Sequence, residues 1–178
     1  MIKYFSILLL LSLTFTACSK SNGDDDQKAN FGYYFRCKVD GDATSFMTNA
    51  MAQRIEGNHS IWVSGSNDVQ TMELFILDNL NKKSVIARVY PDSTKEYQVN
   101  GTFSLIADKV RYYAGTDEYL SASIFNVDIV NHFNVTITEI NDKSIKGTFS
   151  GDHFKKRDVT SEIKVITEGE FFLPFKAR

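Results

Sequence analysis

The sequence predicts an all-β protein, an antiparallel β-sandwich of about ten strands. Short segments of alternating apolar and polar residues, separated by turn-forming residues, recur throughout residues 31–178. This spacing is typical of antiparallel sandwiches and barrels. Only TNAMAQRI, at 48–55, has a period that fits a helix. A closed, lipocalin-like barrel would satisfy the same pattern and is the alternative.

The first strand is predicted in YYFRCKVDG, residues 33–41, where apolar side chains occupy every second position. Cys37 lies on the apolar face, and because cysteine is often buried, we predict a structural thiol there. The segment DGDATS, which begins at Asp40, has Ser45 at the sixth position, where a calcium loop needs glycine. Asp40 and Gly41 are therefore predicted to form a tight hairpin turn.

Further strand-like segments follow along the chain: HSIWVSGS, TMELFILDN, KSVIARVY, EYQVNGTFSLIA, VRYYAG, YLSASIFNVDIV, HFNVTITEI, SIKGTFSG and EIKVITEGEFFLPF. TMELFILDN is apolar on both faces, which is typical of a central strand. The turn-forming NDK between HFNVTITEI and SIKGTFSG predicts a β-hairpin.

Residues 1–17 are predicted to be the signal peptide of a lipoprotein. The apolar block Phe5–Phe15 follows the positive charge of Lys3 and is shorter than the roughly 20 residues of a membrane-spanning helix. The junction FTAC resembles a lipobox, a large apolar residue and two small ones before cysteine, with Phe15 where leucine is usual. In that pattern the cysteine sulfur receives a diacylglycerol. Cys18 is thus predicted to be the lipid-modified mature N-terminus, which anchors the protein firmly when it carries two or more acyl chains.

Residues 18–30 are predicted to form a flexible acidic tether. The segment SKSNGDDDQKAN is rich in Ser, Asn, Gly and Asp and cannot bury enough apolar surface to fold. Its triplet Asp24–Asp26 resembles the export signal of Bacteroidota lipoproteins, which implies display on the outer face of the outer membrane. The periplasmic face is the alternative. Residues 31–178 then form a single domain of ordinary size.

Three segments of the predicted domain carry a family resemblance: FRCKVDGDATSF, NVTITEINDKSIKGTFSG and VITEGEFFLPF. In this order they resemble a Bacteroidota outer-membrane lipoprotein domain family of unknown function, over most of residues 31–178. The resemblance implies a β fold and an envelope location. It implies no activity and no functional residues.

Composition and motifs favour a binding protein over an enzyme. The formal net charge is −2 at pH 7, whereas a nucleic-acid partner would require a basic face. His59, His132 and His153 lack the spacing of metal ligands, so we predict no metal or other cofactor and place each histidine in a turn or at the surface. Glu168 and Glu170 share a strand face, and paired carboxylates can hydrolyse glycosidic bonds. Neighbours on one strand rarely straddle a substrate, so simple solvent exposure is the preferred interpretation.

Two tyrosine doublets, Tyr33–Tyr34 and Tyr112–Tyr113, contain the candidate ligand-binding residues. Adjacent strand residues point to opposite faces, so one tyrosine of each doublet is expected to face outward, where it can stack on a sugar ring. Aromatic cross-strand pairs that stiffen the sheet are the simpler interpretation. The sequence Asp-Ser-Thr at 92–94 resembles an O-glycosylation acceptor of Bacteroidota, which makes Ser93 a candidate for modification.

We therefore predict a lipid-anchored binding module without enzymatic activity, whose partner is a glycan or a protein at the cell surface. A lipocalin-like carrier of a small apolar ligand is the alternative, and a hydrolase with an unrecognised site is a third possibility. An internal apolar cavity would favour the carrier, an exposed tyrosine patch the binding module, and a cleft with convergent carboxylates the enzyme.

Overall fold

A computed structural model describes residues 32–55, 57, 59–77, 84–90, 98–115, 133–155 and 162–177. They belong to one compact unit, residues 31–178. Several predicted features lie outside the described residues: Cys18, Asp24–Asp26, Ser93, His132 and the strand-like segment YLSASIFNVDIV.

The described part of the chain is built from β-strands, so the all-β prediction is confirmed. The strands are β1 Tyr34–Val39, β2 Asp42–Ser45, β3 Thr48–Ile55, β4 Ser60–Ser66, β5 Gln70–Leu77, β6 Arg88–Tyr90, β7 Gln98–Leu105, β8 Val110–Gly115, β9 Phe133–Ile140, β10 Ser144–Phe154 and β11 Ile163–Pro174. All neighbouring strands of the sheet pair antiparallel, in the order β2-β1-β11-β10-β8-β7-β5-β4-β3, with β9 on β10 and β6 on β9.

These strands form one open and strongly curled sheet, a half-barrel. The long strand β10 pairs with β9 along most of its length and with β8 at its end, where Phe154 lies opposite Tyr113. At the far edge, Ala52 of β3 forms an isolated parallel bridge with Phe175, and Lys176 N–H donates to the Ala52 carbonyl at 2.8 Å. The edge strand β3 therefore contacts the segment that follows β11.

The local turn predictions agree with the structure. Asp40 and Gly41 join β1 to β2 with φ values of 53° and 93°, as a tight hairpin turn requires. Between β9 and β10, the Asn141 side-chain oxygen accepts the backbone N–H groups of Lys143 and Ser144 at 2.8 and 3.0 Å. The predicted hairpin over NDK is confirmed. TMELFILDN covers all but the first residue of β5, which lies between β4 and β7 as a central strand.

The helical interpretation of residues 48–55 is wrong. This segment is β3, which pairs with β4 from Met51 opposite Ser64 to Ile55 opposite Ser60. Its helical period reflects only a few apolar residues, and pairing with a neighbouring strand overrides so weak a local preference.

Phenylalanine rings fill the inside of the curled sheet. Phe35 lies at the centre, with ring centroids of Phe46 and Phe149 at 5.6 Å and of Phe171 at 6.4 Å. Phe46 in turn contacts Phe103 at 6.5 Å. All five rings are buried, and the tilted and edge-on contacts are those that aromatic quadrupoles favour. The inner face is therefore a packed aromatic core.

Cys37 belongs to this core and is a free, buried thiol. Burial raises the pKa of the Cys37 thiol to about 12, because an apolar environment disfavours the thiolate. Since the thiolate is the nucleophile, burial disfavours reaction of Cys37 in the folded protein. The prediction of a structural thiol is confirmed.

His153 corrects a prediction, because it is neither a turn nor a surface residue. Its side chain is 0% exposed, packs edge-on against Phe133 at 5.1 Å, and has Nδ1 3.4 Å from the Gly151 carbonyl oxygen. A Cβ atom on Gly101 would lie 2.6 Å from its Nε2, so this glycine leaves the space that the imidazole fills. Burial lowers the pKa of His153 to about 4, which keeps the ring neutral.

Candidate functional site

The outer face of β1, β11, β10 and β9, which we call the groove face, is the strongest candidate site. On β11, Glu170 lies opposite Arg36 of β1 and Thr148 of β10, and Thr148 lies opposite Thr136 of β9. Directly opposite side chains on one sheet face are neighbours. The sheet pairing therefore assembles a continuous polar row from four strands that are distant in sequence.

Two open depressions border this row. The larger has a volume of about 450 Å³ and is lined by Asn134, Thr136, Thr148, Phe149, Ser150, Glu168, Gly169 and Glu170. The smaller has a volume of about 270 Å³ and is lined by Arg36, Cys37, Lys38, Ala43, Thr44, Ser45, Glu168 and Glu170. Glu168 and Glu170 line both. The two carboxylates therefore form the ridge between them.

A β-bulge in β11 positions Glu168. Both partner strands shift register at this point, between Arg36 and Lys38 on β1 and between Phe149 and Gly151 on β10. Glu168 has φ 50°, a left-handed conformation that costs a non-glycine residue roughly 1–2 kcal/mol. Bulges re-aim side chains next to binding sites, and backbone strain of this kind concentrates at functional positions.

The charges of the groove face are paired. Arg36 contacts the Glu170 carboxylate at 2.6 Å, and Lys38 contacts the Glu168 carboxylate at 2.7 Å. The Glu168 side chain is 67% exposed, so the prediction of solvent exposure is confirmed for this residue. Exposed pairs of this kind stabilise a fold by about 0–1 kcal/mol. The two ion pairs orient the four charged groups. The cations of Arg36 and Lys38 can then donate hydrogen bonds to the hydroxyl groups of a ligand, and the two carboxylates can accept hydrogen bonds from them.

An aromatic cluster, formed by Tyr33, Tyr34 and Phe172, lies at one end of the groove face. The Phe172 ring centroid is 4.9 Å from that of Tyr33 and 6.2 Å from that of Tyr34. The Arg36 guanidinium lies over the Tyr34 ring at 5.0 Å, which joins the cluster to the polar row. All three rings are half-buried, so neither tyrosine of this doublet belongs to the core.

The second doublet divides between the two faces of β8. Tyr113 is half-buried on the outer face, whereas Tyr112 is 1% exposed. The Tyr112 hydroxyl donates to the Glu162 carboxylate at 2.7 Å, and burial together with this bond raises the pKa of Tyr112 to about 12. Tyr112 is therefore a core residue, which corrects its place among the candidate ligand-binding residues.

Sequence reasoning missed several members of these surfaces. The sequence patterns assign Phe172 to no site and do not reveal the partners of Glu168 and Glu170 on β1. A further aromatic pair, Trp62 on β4 and Phe75 on β5, lies on the outer face with ring centroids 5.8 Å apart and an interplanar angle of 19°. Period-two alternation within TMELFILDN places Phe75 on the other face of β5 from the core residues. This alternation is the sequence signal that identifies Phe75 as an outer-face aromatic residue.

Metal-binding groups are absent from the described part of the chain: no three or more His, Cys, Asp or Glu side chains cluster there. His59 is half-buried. Comparison with protein-family models, curated proteins and solved structures finds no match to this chain. Within the described residues, no helix has the length and apolarity to cross a bilayer.

Proposed function

We propose that this protein is a lipid-anchored, non-enzymatic binding module of the bacterial outer membrane that binds glycans through its groove face. The observation that carries the proposal is the continuity of the aromatic cluster with the polar row of Arg36, Glu170 and Thr148. Binding sites combine apolar or aromatic surface with a few placed polar groups. A sugar ring offers both an apolar face for stacking and hydroxyl groups for hydrogen bonds.

The two competing functions receive less support. A carrier of a small apolar ligand needs internal space, and the Phe35, Phe103 and Phe171 rings occupy the inside of the sheet. A retaining or inverting hydrolase needs one carboxylic acid and one carboxylate on either side of a scissile bond. Glu168 and Glu170 instead lie two residues apart on one strand, each paired with a cation.

The location rests on the N-terminal sequence. The lipobox-like FTAC junction, the acidic tether and the resemblance to Bacteroidota lipoprotein domains support an acylated Cys18 and display at the cell surface. The periplasmic face remains the alternative orientation. A ligand-binding face on a tethered domain suits the outer surface, where glycans are encountered.

Replacing Cys18 with Ala is expected to release the protein from membranes, because Cys18 is the proposed site of acylation and firm anchoring needs two or more acyl chains. Membrane fractions washed with carbonate and separated by detergent phase partitioning measure the attachment. A Cys37→Ala variant is the matched control and should remain membrane-bound. Retention of the Cys18→Ala variant in the membrane would contradict the lipid anchor.

Replacing Tyr34 with Ala is expected to weaken glycan binding about 5- to 150-fold with little change in melting temperature. Loss of one stacked ring weakens binding by about 1–3 kcal/mol, by analogy with bases stacked on aromatic side chains. Truncation of a side chain outside the core changes stability by about 0.5 kcal/mol or less. A glycan array and thermal unfolding measure the two effects.

Tyr33→Ala and Tyr113→Ala extend this test to the other outward rings, and Tyr112→Ala is the core control. The Tyr112 variant should melt at a lower temperature, because its ring is buried and its hydroxyl bonds Glu162. If Tyr33, Tyr34 and Tyr113 variants all behave like the Tyr112 variant, the rings are structural and the glycan proposal is wrong.

A further inference from the structure

The Trp62–Phe75 pair lies on the other half of the sheet, away from β1 and β11. Trp62 of β4 is directly opposite Phe75 of β5, and the two rings are nearly parallel. Their chain neighbours Ile61, Val63 and Ile76 point inward and are buried. The pair itself is half-buried. These rings are thus an outer-face feature that the aromatic core does not use.

Amide side chains flank the pair on both sides. Sheet pairing places Gln53 of β3 opposite Trp62 and Asn100 of β7 opposite Phe75. The row is therefore Gln53, Trp62, Phe75 and Asn100 across four adjacent strands. In the next row of the same face, Glu73 lies opposite Thr102. Two aromatic rings are consequently bordered by two amides, a carboxylate and a hydroxyl.

The indole of Trp62 has an unsatisfied polar group. Its Nε1 is buried and has no hydrogen-bond partner in the part of the chain that the structure describes. Leaving such a donor unpaired costs about 1–3 kcal/mol, and each instance in a native structure calls for an explanation. Because this donor is buried, it is out of reach of a ligand, so contacts at this surface would be made by the ring faces and the flanking amides.

We propose that Gln53, Trp62, Phe75 and Asn100 form a second binding site, for a neutral pyranose unit of a glycan. The rings offer apolar surface to the C–H face of the sugar, and aromatic side chains supply most of the contact area in such sites. The amides donate to and accept from hydroxyl groups. The Glu73 carboxylate disfavours a uronic acid by like-charge repulsion. The choice of a glycan as ligand rests on the proposed function, but the residues are independent of the groove face.

The experiment uses the fact that Trp62 is the only tryptophan of the protein. Full-length protein is titrated with cellohexaose, xylohexaose, mannohexaose and maltohexaose, and with oligogalacturonate as the acidic probe, while tryptophan emission is recorded. We expect a saturable change in emission with at least one neutral hexasaccharide and none with oligogalacturonate. Gln53→Ala and Asn100→Ala should each weaken that titration about tenfold, which corresponds to the loss of one good hydrogen bond, with unchanged melting temperatures.

Tyr34→Ala is the matched control, because it lies on the groove face and should leave the emission titration unchanged. If no neutral probe changes the emission, or if the Gln53 and Asn100 variants titrate like the unmodified protein, the second site is wrong. In that case, if Tyr34→Ala still weakens retention of the protein on the glycan array, glycan binding by the groove face remains supported. The opposite outcome is also possible to distinguish. If Gln53→Ala weakens the change in Trp62 emission while Tyr34→Ala leaves retention on the glycan array unchanged, the second site is supported and the groove face is not the glycan-binding site.

Discussion

Replacing His153 with Leu is expected to remove a large part of the acid sensitivity of this protein. The pKa of His153 is lowered from 6.5 to about 4 by burial, so the unfolded chain binds a proton more readily than the folded one. The stability that depends on the neutral ring is fully present above pH 6.5 and is lost as the pH falls from 6.5 to 4. At pH 4.5 the loss is about 2–3 kcal/mol, since one pKa unit corresponds to about 1.4 kcal/mol.

Urea unfolding of the unmodified protein and the His153→Leu variant at pH 7 and pH 4.5 measures this difference. The described contacts of the ring include the Phe133 side chain, the Gly151 carbonyl and Gly101, none of which titrates. Lys164 lies opposite His153 on β11 and stays protonated over this range, because its hydrogen bond to Asp40 raises its pKa. Protonation of carboxylates changes the free energy of unfolding equally in both proteins and therefore cancels in the comparison. Glu162 is one of them, and its pKa is lowered chiefly by the hydrogen bond from Lys155. Equal losses of stability in the two proteins would show that His153 does not titrate as the buried geometry requires.

Replacing Phe35 with Ala is expected to destabilise the fold by about 3–5 kcal/mol, the usual cost of truncating a buried phenylalanine. Phe35 contacts the rings of Phe46, Phe149 and Phe171, so the cavity would open at the centre of the core. Total stabilities are about 5–15 kcal/mol, which makes partial unfolding at 37 °C an expected result. Circular dichroism and urea unfolding record it.

Phe172→Ala is the matched control for Phe35→Ala. Phe172 is the outward neighbour of Phe171 on β11 and lies opposite Tyr34. It should cost at most about 1 kcal/mol in stability, because the ring is only half-buried, while weakening glycan retention. Equal destabilisation by both variants would mean that the outer aromatic cluster serves the fold.

Period-two alternation predicted much of this fold because it reports which side chains are buried. It placed Phe35 and Cys37 on the inner face, and the same period running from Ile145 and Phe149 along β10 also reaches His153. The prediction of a turn or surface position for His153 considered only that the histidines lack metal-ligand spacing, which carries no information on burial. The apolar spacing in 48–55 predicted a helix because periodicity alone carries no information on pairing with β4.

The candidate site was less predictable because its residues meet only through strand pairing. Tyr34 was identified from its own doublet, but its contact with Phe172 depends on the register of β1 against β11. Glu168 adopts its left-handed backbone conformation at the β-bulge, where β11 shifts register against both β1 and β10. No short sequence motif encodes this coincidence of two register shifts. Trp62 and Phe75 become a pair only when β4 and β5 align.

The most direct test of the central claim is an NMR titration of the ¹⁵N-labelled protein with a glycan that the array shows it to retain. Binding through the groove face predicts chemical-shift changes that are largest at Tyr34 and Arg36 of β1, Thr148 of β10, and Glu170 and Phe172 of β11. The buried β7 residue Phe103, which belongs to neither proposed site, should change little. Shift changes that leave β1, β10 and β11 unperturbed would contradict the proposal that this face binds glycans.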